Sequence, residues 1–309
     1  MRLISVVTPC YNEEENVEEL YKQIKGIFSH LPHYRYEHLF IDNASSDKTV
    51  SVLKQIAKQD KNVKIIVNSR NFGHIRSPYH GLLQAQGDAV IFVVADLQDP
   101  PSMINLFLEK WEEGYKIAIG VKPKSDESRL LFAIRRLGYH WIKKIADVKL
   151  IKNFTGFGLY DKEVMTILHS YDDPYPYFRG MIADIGFEIA EIPYHQPQRK
   201  RGLTKNNFYT LYDIGMLGIT SYSKIPLRLA VMAGFLLAIL SLVIAGVFFI
   251  LKLIFWDRFS AGVAPIVISL FFFSSVQLFF IGLLGEYIAS INTRVMKRPL
   301  VIEKERINF

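Results

Sequence analysis

Cysteine is nearly absent: the 309 residues contain one, Cys10. An intrachain disulfide framework is therefore excluded, in keeping with a reducing compartment. No Cys/His cluster has the spacing of a structural zinc site. The fingerprint G-x-G-x-x-G is absent after the first apolar run, and so is the phosphate loop G-x-x-x-x-G-K-[ST]. A dinucleotide oxidoreductase and a P-loop ATPase are both disfavoured on that ground. No internal repeat or low-complexity tract interrupts the chain, and no signal peptide is expected ahead of Met1-Arg2-Leu3. The N-terminal part is accordingly expected to stay in the cytosol.

Charge is the next thing missing, in two places. Between Arg228 and Lys252 there is none, and Gly262 to Gly285 carries none at all. Each run is long enough for a helix across a hydrocarbon core of roughly 30 Å, which needs about 20 residues. Half of the residues are hydrophobic, and the excess lies from Leu227 onward. Two spans, about 229–255 and 263–285, are expected to form a hairpin within 225–291. Lys224 and Arg228 precede it; Arg294, Lys297, Arg298, Lys304 and Arg306 follow, so both ends are expected on the cytoplasmic side. Residues 292–309 are read as a basic tail. Asn207 to Tyr222 has apolar residues at helical spacing and few charges, so 205–224 is expected to be an amphipathic helix lying on the membrane. The net charge of +7 is compatible with nucleic acid. Its placement beside the spans and in Arg199-Lys200-Arg201 suits anionic lipid better, and no nucleic-acid partner is expected.

Residues 1–204 alternate strand and helix. Strands are expected at Leu3–Thr8, His38–Ile41, Val63–Val67, Ala89–Ala95 and Lys116–Val121. Helices are expected at Glu13–Phe28, from Asp47 to about Gln59, at Ile75–Gln86, and after Pro100-Pro101. This βαβαβ order predicts an α/β domain with a mainly parallel, Rossmann-like sheet and helices on both faces. In such sheets ligands bind outside the carboxyl ends of the strands. There the sequence places Tyr11, then Asp42 and Asn43, then Asp96, Gln98 and Asp99. Carboxylates stand where nucleotide-binding folds with glycine loops have glycines. That points to a hard cation holding a diphosphate, since Mg²⁺ or Mn²⁺ takes one or two carboxylates plus phosphate oxygens.

The ordered set "TPCYNEEENV", "IDNASSDKTV", "NFGH" and "ADLQDPP" resembles the family 2 glycosyltransferases with a GT-A fold. With two C-terminal spans it is similar to the polyprenyl-phosphate glycosyltransferases, such as the bactoprenol glucosyltransferases and dolichol-phosphate mannose synthase. The resemblance covers nearly the whole chain. It implies inverting transfer of a sugar, a UDP-linked hexose in the first instance, to a lipid phosphate such as undecaprenyl phosphate at the cytoplasmic face of a bacterial inner membrane. It further implies that Pro9, Tyr11 and Glu13 cup the nucleotide, that Asp42 contacts base or ribose, and that Asp96 and Gln98 hold the metal and diphosphate. A strand-to-helix turn with ordinary capping explains the first group equally, and Asp99 is as readily a helix cap.

Two departures stand out. Many relatives read Asp-Ala-Asp where this chain has Val94-Ala95-Asp96. Several have Asp-Phe-Arg in place of Gly156-Phe157-Gly158, so Asp161 is left as the acid of that stretch and is taken as catalytic beside Asp96. Cations to meet the lipid phosphate are sought in Arg199, Arg201 and Lys205, and secondarily in Arg129, Arg135 and Arg136; lipid-headgroup contact explains the same residues. Two other readings stay open, a membrane-anchored nucleotide-sugar-binding pseudoenzyme and a glycan synthase acting on another acceptor. The sugar, the lipid and any homo-oligomeric state are not specified.

Overall fold

The computed structural model describes residues 1–122, 151, 153–197, 208–255 and 263–309. Arg129, Arg135, Arg136, Arg199, Arg201 and Lys205 lie outside them.

β1 (Arg2–Cys10), β2 (Tyr34–Asp42), β3 (Val63–Asn68) and β4 (Ala89–Phe92) form the parallel centre of the sheet, in the order β3-β2-β1-β4. They are apolar on both faces, as strands covered on both sides must be. Ile4, Val6, Phe40 and Ile65 point to one core layer, and Val7, Leu39, Ile41 and Ile66 to the other. α1 (Val17–Ser29), α2 (Thr49–Gln59) and α4 (Met103–Glu112) cover the first face; Val17, Leu20 and Ile24 of α1 show the three-to-four spacing of an apolar stripe. α3 (Gly73–Leu83), α5 (Lys162–Ser170) and α6 (Phe178–Asp184) cover the second.

The sheet is more mixed than its sequence predicts. β5 (Ile117–Val121) does not pair with β4. β6 (Phe154–Asp161) inserts between them, antiparallel to both, and β7 (Ile189–Pro193) adds on parallel to β5. The last residues correct a second expectation. Glu303–Ile307, read as part of a basic tail, is β8, antiparallel to β3 at the sheet edge. Its burial alternates, with Lys304 and Arg306 exposed and Glu303, Glu305 and Ile307 partly buried. A strand rich in charge suits an edge.

Beyond the sheet, α7 (Phe208–Tyr222) leads through Ser223-Lys224 into α8 (Ile225–Ile254), and α9 (Val263–Val295) returns. The stretches Ile225–Leu251 and Ser269–Val295 are long and apolar enough to cross a membrane, and neither is buried against the rest of the protein. Phe235, Phe249, Phe271, Leu278 and Phe279 are each at least 60% exposed. A soluble protein rarely leaves a contiguous apolar surface of that extent open. The junction is tied by hydrogen bonds from Tyr287 Oη to Ser223 O (2.8 Å) and from Arg294 Nη2 to Ser221 Oγ (2.7 Å).

Candidate active site

Three loops leave the carboxyl ends of β1, β2 and β4, and each contains a non-glycine residue in the left-handed region: Asn12 (φ 56°), Ala44 (φ 61°) and Leu97 (φ 58°). Such residues are uncommon, and they persist where the surroundings over-determine them. Here the surroundings are visible. The first two loops are laced together: Asn12 N donates to Ser45 Oγ (2.9 Å), Ser46 N to Asn12 Oδ1 (2.8 Å), and Lys48 N to Glu14 Oε2 (2.8 Å). Asn43 ties the second loop to the segment before α3, accepting from Phe72 N (2.8 Å) and donating to Asn71 Oδ1 (2.9 Å). The motifs read separately in the sequence are thus one rigid rim.

Pro9, Tyr11 and Glu13 stand on this rim. Glu13 precedes α1 rather than opening it, and its carboxylate accepts from Asn16 Nδ2 (2.6 Å). Asp42 is fully buried. One of its oxygens accepts from Ser45 N (2.9 Å), and the other takes the Ser45 hydroxyl. Burial pushes its carboxyl up, and those two hydrogen bonds pull it back. The Asp42 carboxylate is thus engaged with Ser45 inside the turn.

Asp96 is half-buried, and its Oδ1 accepts from Gln98 N (3.1 Å). Oδ2 takes no hydrogen bond among the described residues, nor does the Gln98 side chain. One carboxylate oxygen and one amide oxygen are hard donors. They fit a cation that completes its shell with phosphate oxygens and water. Among the described residues no group of three or more His, Cys, Asp or Glu could hold a metal unaided.

Asp99 is not a helix cap. It is 3% exposed and accepts from Tyr194 Oη at 2.6 Å. Burial raises its carboxyl to about 6, against the pull of the Tyr194 hydrogen bond and the Lys122 charge. Lys122, at the end of β5, is itself held below the usual lysine range, first by burial, while Asp99 and Asp96 oppose the shift and the Arg179 guanidinium adds to it. Lys122 and Arg179 therefore bring positive charge to the same crevice. Sequence reading missed both. Neither lies in a basic run, and only the pairing of β5 with β6 and β7 carries Lys122 there.

Val94 packs partly buried against the apolar layer that contains Phe92 and Phe178. Gly156 has φ +105°, and its carbonyl accepts from Tyr160 Oη (2.6 Å). A side chain there is strained, so the backbone itself accounts for the missing acid.

Asp161 is at the other end of the sheet. It pairs in register with Ala89, the first residue of β4, whereas Asp96 lies past the last. Its carboxylate caps α5 through Glu163 N (2.9 Å) and accepts from Trp111 Nε1 (2.7 Å). The catalytic role expected of Asp161 is withdrawn, because the antiparallel course of β6 carries it away from the crevice. Asp161→Ala is expected to keep turnover within about twofold. It should lower stability by about 2 kcal/mol, from the lost cap and an unpaired indole N–H. Thermal melting and a transfer assay on the same sample check both.

Comparison with known proteins gives the family. The family model for glycosyl transferase family 2 matches residues 5–172. The chain is 32% identical over 303 residues to the SfII prophage-derived bactoprenol glucosyl transferase of Shigella flexneri, covering 98% of this chain and 97% of that protein. It is 32% identical over 299 residues to the uncharacterized glycosyltransferase YkcC of Bacillus subtilis, covering 96% and 92%. Among solved structures, a mycobacterial protein superposes with a TM-score of 0.51 at 17% identity, over 71% of this chain and 73% of that one.

Proposed function

This chain belongs to glycosyl transferase family 2, and from that membership we propose that it transfers a hexose from a nucleoside diphosphate-sugar, UDP-linked in the first instance, to a polyprenyl phosphate at a membrane surface, with inversion at the anomeric carbon. The observation that carries the reading is one arrangement. A crevice with an open carboxylate and two cations lies in a domain whose C-terminal helices are long, apolar and exposed. Near-full-length similarity to a protein named bactoprenol glucosyl transferase supports the acceptor class.

The chemistry asks little of a base. A phosphate monoester has a second pKa near 6 and is mostly a dianion at pH 7. Its oxygen forms the new bond to the anomeric carbon, and the bond to the diphosphate breaks, with the electron pair leaving on the diphosphate. No proton must be removed, which fits the absence of an acid at Gly156 and the distant placement of Asp161. The protein's task is to align two anions and screen their repulsion. Lys122 and Arg179 supply fixed positive charge for this. Asp96 and Gln98 would hold Mg²⁺ or Mn²⁺, which when bound supplies further charge for the departing diphosphate. The rim from Pro9 to Glu13, with Ser45 and Asp47, would seat the nucleotide. The active domain is placed on the cytosolic side, with α7 on the membrane and both chain ends in the cytosol. The basic residues Arg199, Arg201, Lys205, Arg129 and Arg135 remain proposed contacts to the lipid phosphate.

The test is a screen of labelled UDP- and GDP-hexoses against undecaprenyl phosphate with purified protein. One donor should give an organic-extractable, acid-labile product that EDTA suppresses. No lipid-linked product from any donor would remove the reading. Val94→Asp refines it. A second carboxylate beside Asp96 should lower the metal concentration giving half-maximal transfer by about tenfold. An unchanged or higher value would mean that position 94 does not face the metal.

A further inference from the structure

A cavity of about 100 Å³ lies between α3, the end of β4 and the start of α6. We propose that it receives the first isoprenyl unit of the acceptor lipid, with Arg179 holding the attached phosphate toward the crevice. This rests on the prenyl-phosphate reading above and adds to it a place and a residue.

Three observations converge on that occupant. The first is composition. Ile75, Leu82, Phe92 and Phe178 line the cavity with Tyr79, whose hydroxyl is already spent on Leu168 O at 2.9 Å. The remaining polar side chains on the lining are few: His74, Thr155, Tyr177 and Arg179. A hexose carries several hydroxyls, each needing a partner once buried. A short branched hydrocarbon needs none and gains from apolar walls.

The second is position. Phe92 closes β4 four residues before Asp96, and Val94 packs into the same apolar layer. Phe178 bridges the wall, its ring 6.4 Å from Phe92 and 6.2 Å from Tyr79. On the far side Tyr177 packs on α7, 6.0 Å between ring centres from Tyr222. The contact is close: a Cβ on Gly180 would lie 2.4 Å from the Tyr222 ring. Three residues after Tyr222, at Ile225, the first membrane-length helix begins. The cavity therefore stands between the catalytic carboxylate and the point where a lipid chain leaves the membrane.

The third is charge. Arg179 makes no ion pair and no hydrogen bond among the described residues, and it lies on the lining while its charge bears on Lys122. A cation on the lining of a largely apolar pocket is the recognition pattern of an amphiphile with a phosphate head.

The experiment measures equilibrium binding of farnesyl phosphate to the purified full-length protein in detergent, without any sugar donor. Farnesol, dodecyl phosphate and glucose serve as competitors. Wild type should bind farnesyl phosphate saturably and prefer it over dodecyl phosphate, with glucose inert. Ile75→Trp, which fills the cavity, and Arg179→Ala, which removes the charge, should each weaken farnesyl phosphate by about tenfold or more. Arg179→Ala should leave farnesol unchanged, which a merely structural defect would not. Melting curves identify a variant that fails to fold, and Ile75→Phe and Arg179→Lys then replace it with smaller losses in the same direction. Wild-type binding that both variants retain in full overturns the site and leaves the prenyl-phosphate reading standing. Displacement by glucose overturns it in favour of a sugar pocket. No saturable binding to wild type removes both.

Discussion

Asp96→Asn is expected to abolish transfer, lowering kcat/KM by at least about a thousandfold while the protein still folds. The size follows from what the carboxylate does. Its backbone anchor, the hydrogen bond from Gln98 N to Oδ1, can be kept by an amide oxygen, so the left-handed turn at Leu97 survives the change. What is lost is the charge on the other oxygen, which takes no hydrogen bond among the described residues. With it goes much of the stabilisation of the leaving diphosphate. Removing a single group that meets developing charge costs about a hundred- to a thousandfold in known cases. A metal ligand does more, because the cation leaves with it. Half-buried placement limits the structural cost, so melting should shift by only a few degrees. Near wild-type rates in the variant would remove Asp96 from the chemistry.

Truncation after Arg298 is the second large effect, and it acts on stability. The last eleven residues hold the edge of the sheet. β8 pairs with β3 from Ile65 to Asn68, and Ser69 N donates to Ile302 O (2.9 Å). Arg76 donates to the carbonyls of Leu300 (2.8 Å) and Pro299 (2.6 Å). His80 meets Glu303 at 2.6 Å, Lys54 meets Glu305 at 2.6 Å, and Asn308 Nδ2 donates to Ala57 O and Val63 O, both at 2.8 Å. The more exposed Lys54–Glu305 pair is worth little by itself. The backbone bonds and the burial of Val301 matter more. At about 1 kcal/mol net for a hydrogen bond, the strand contributes about 4 kcal/mol. Its removal should lower the melting temperature by about 10 °C. It should also leave β3 as an open apolar edge, which favours aggregation. An unchanged melting temperature would mean that the strand is not formed in solution.

The two halves of the molecule differed in how far their sequence could be read. The parallel centre was legible because its strands are apolar runs separated by amphipathic helices, and the loop residues gathered where that topology requires. β8 was not, because Glu303-Lys-Glu-Arg-Ile307 carries the charge of a tail and becomes a strand only beside β3. β6 was hidden by Gly156 and Gly158, which read as loop residues. That omission also misplaced Asp161. Its position in a motif said nothing of the antiparallel direction that takes it to the opposite end of the sheet. Asp96 stood out because a buried apolar strand ends in it and because its motif resembles a family one. Lys122, Arg179 and Tyr194 did not, since two strands and a helix far apart in sequence bring them together.

The most direct test of the account asks at which end of the sheet a nucleoside diphosphate and its cation sit. Mn²⁺ electron paramagnetic resonance on the purified protein, titrated with UDP and separately with GDP, answers this without any transfer reaction. The account predicts one nucleotide-dependent Mn²⁺ site in wild type, retained in Asp161→Ala and lost in Asp96→Asn. Retention of that site in Asp96→Asn, or its loss in Asp161→Ala alone, would contradict it.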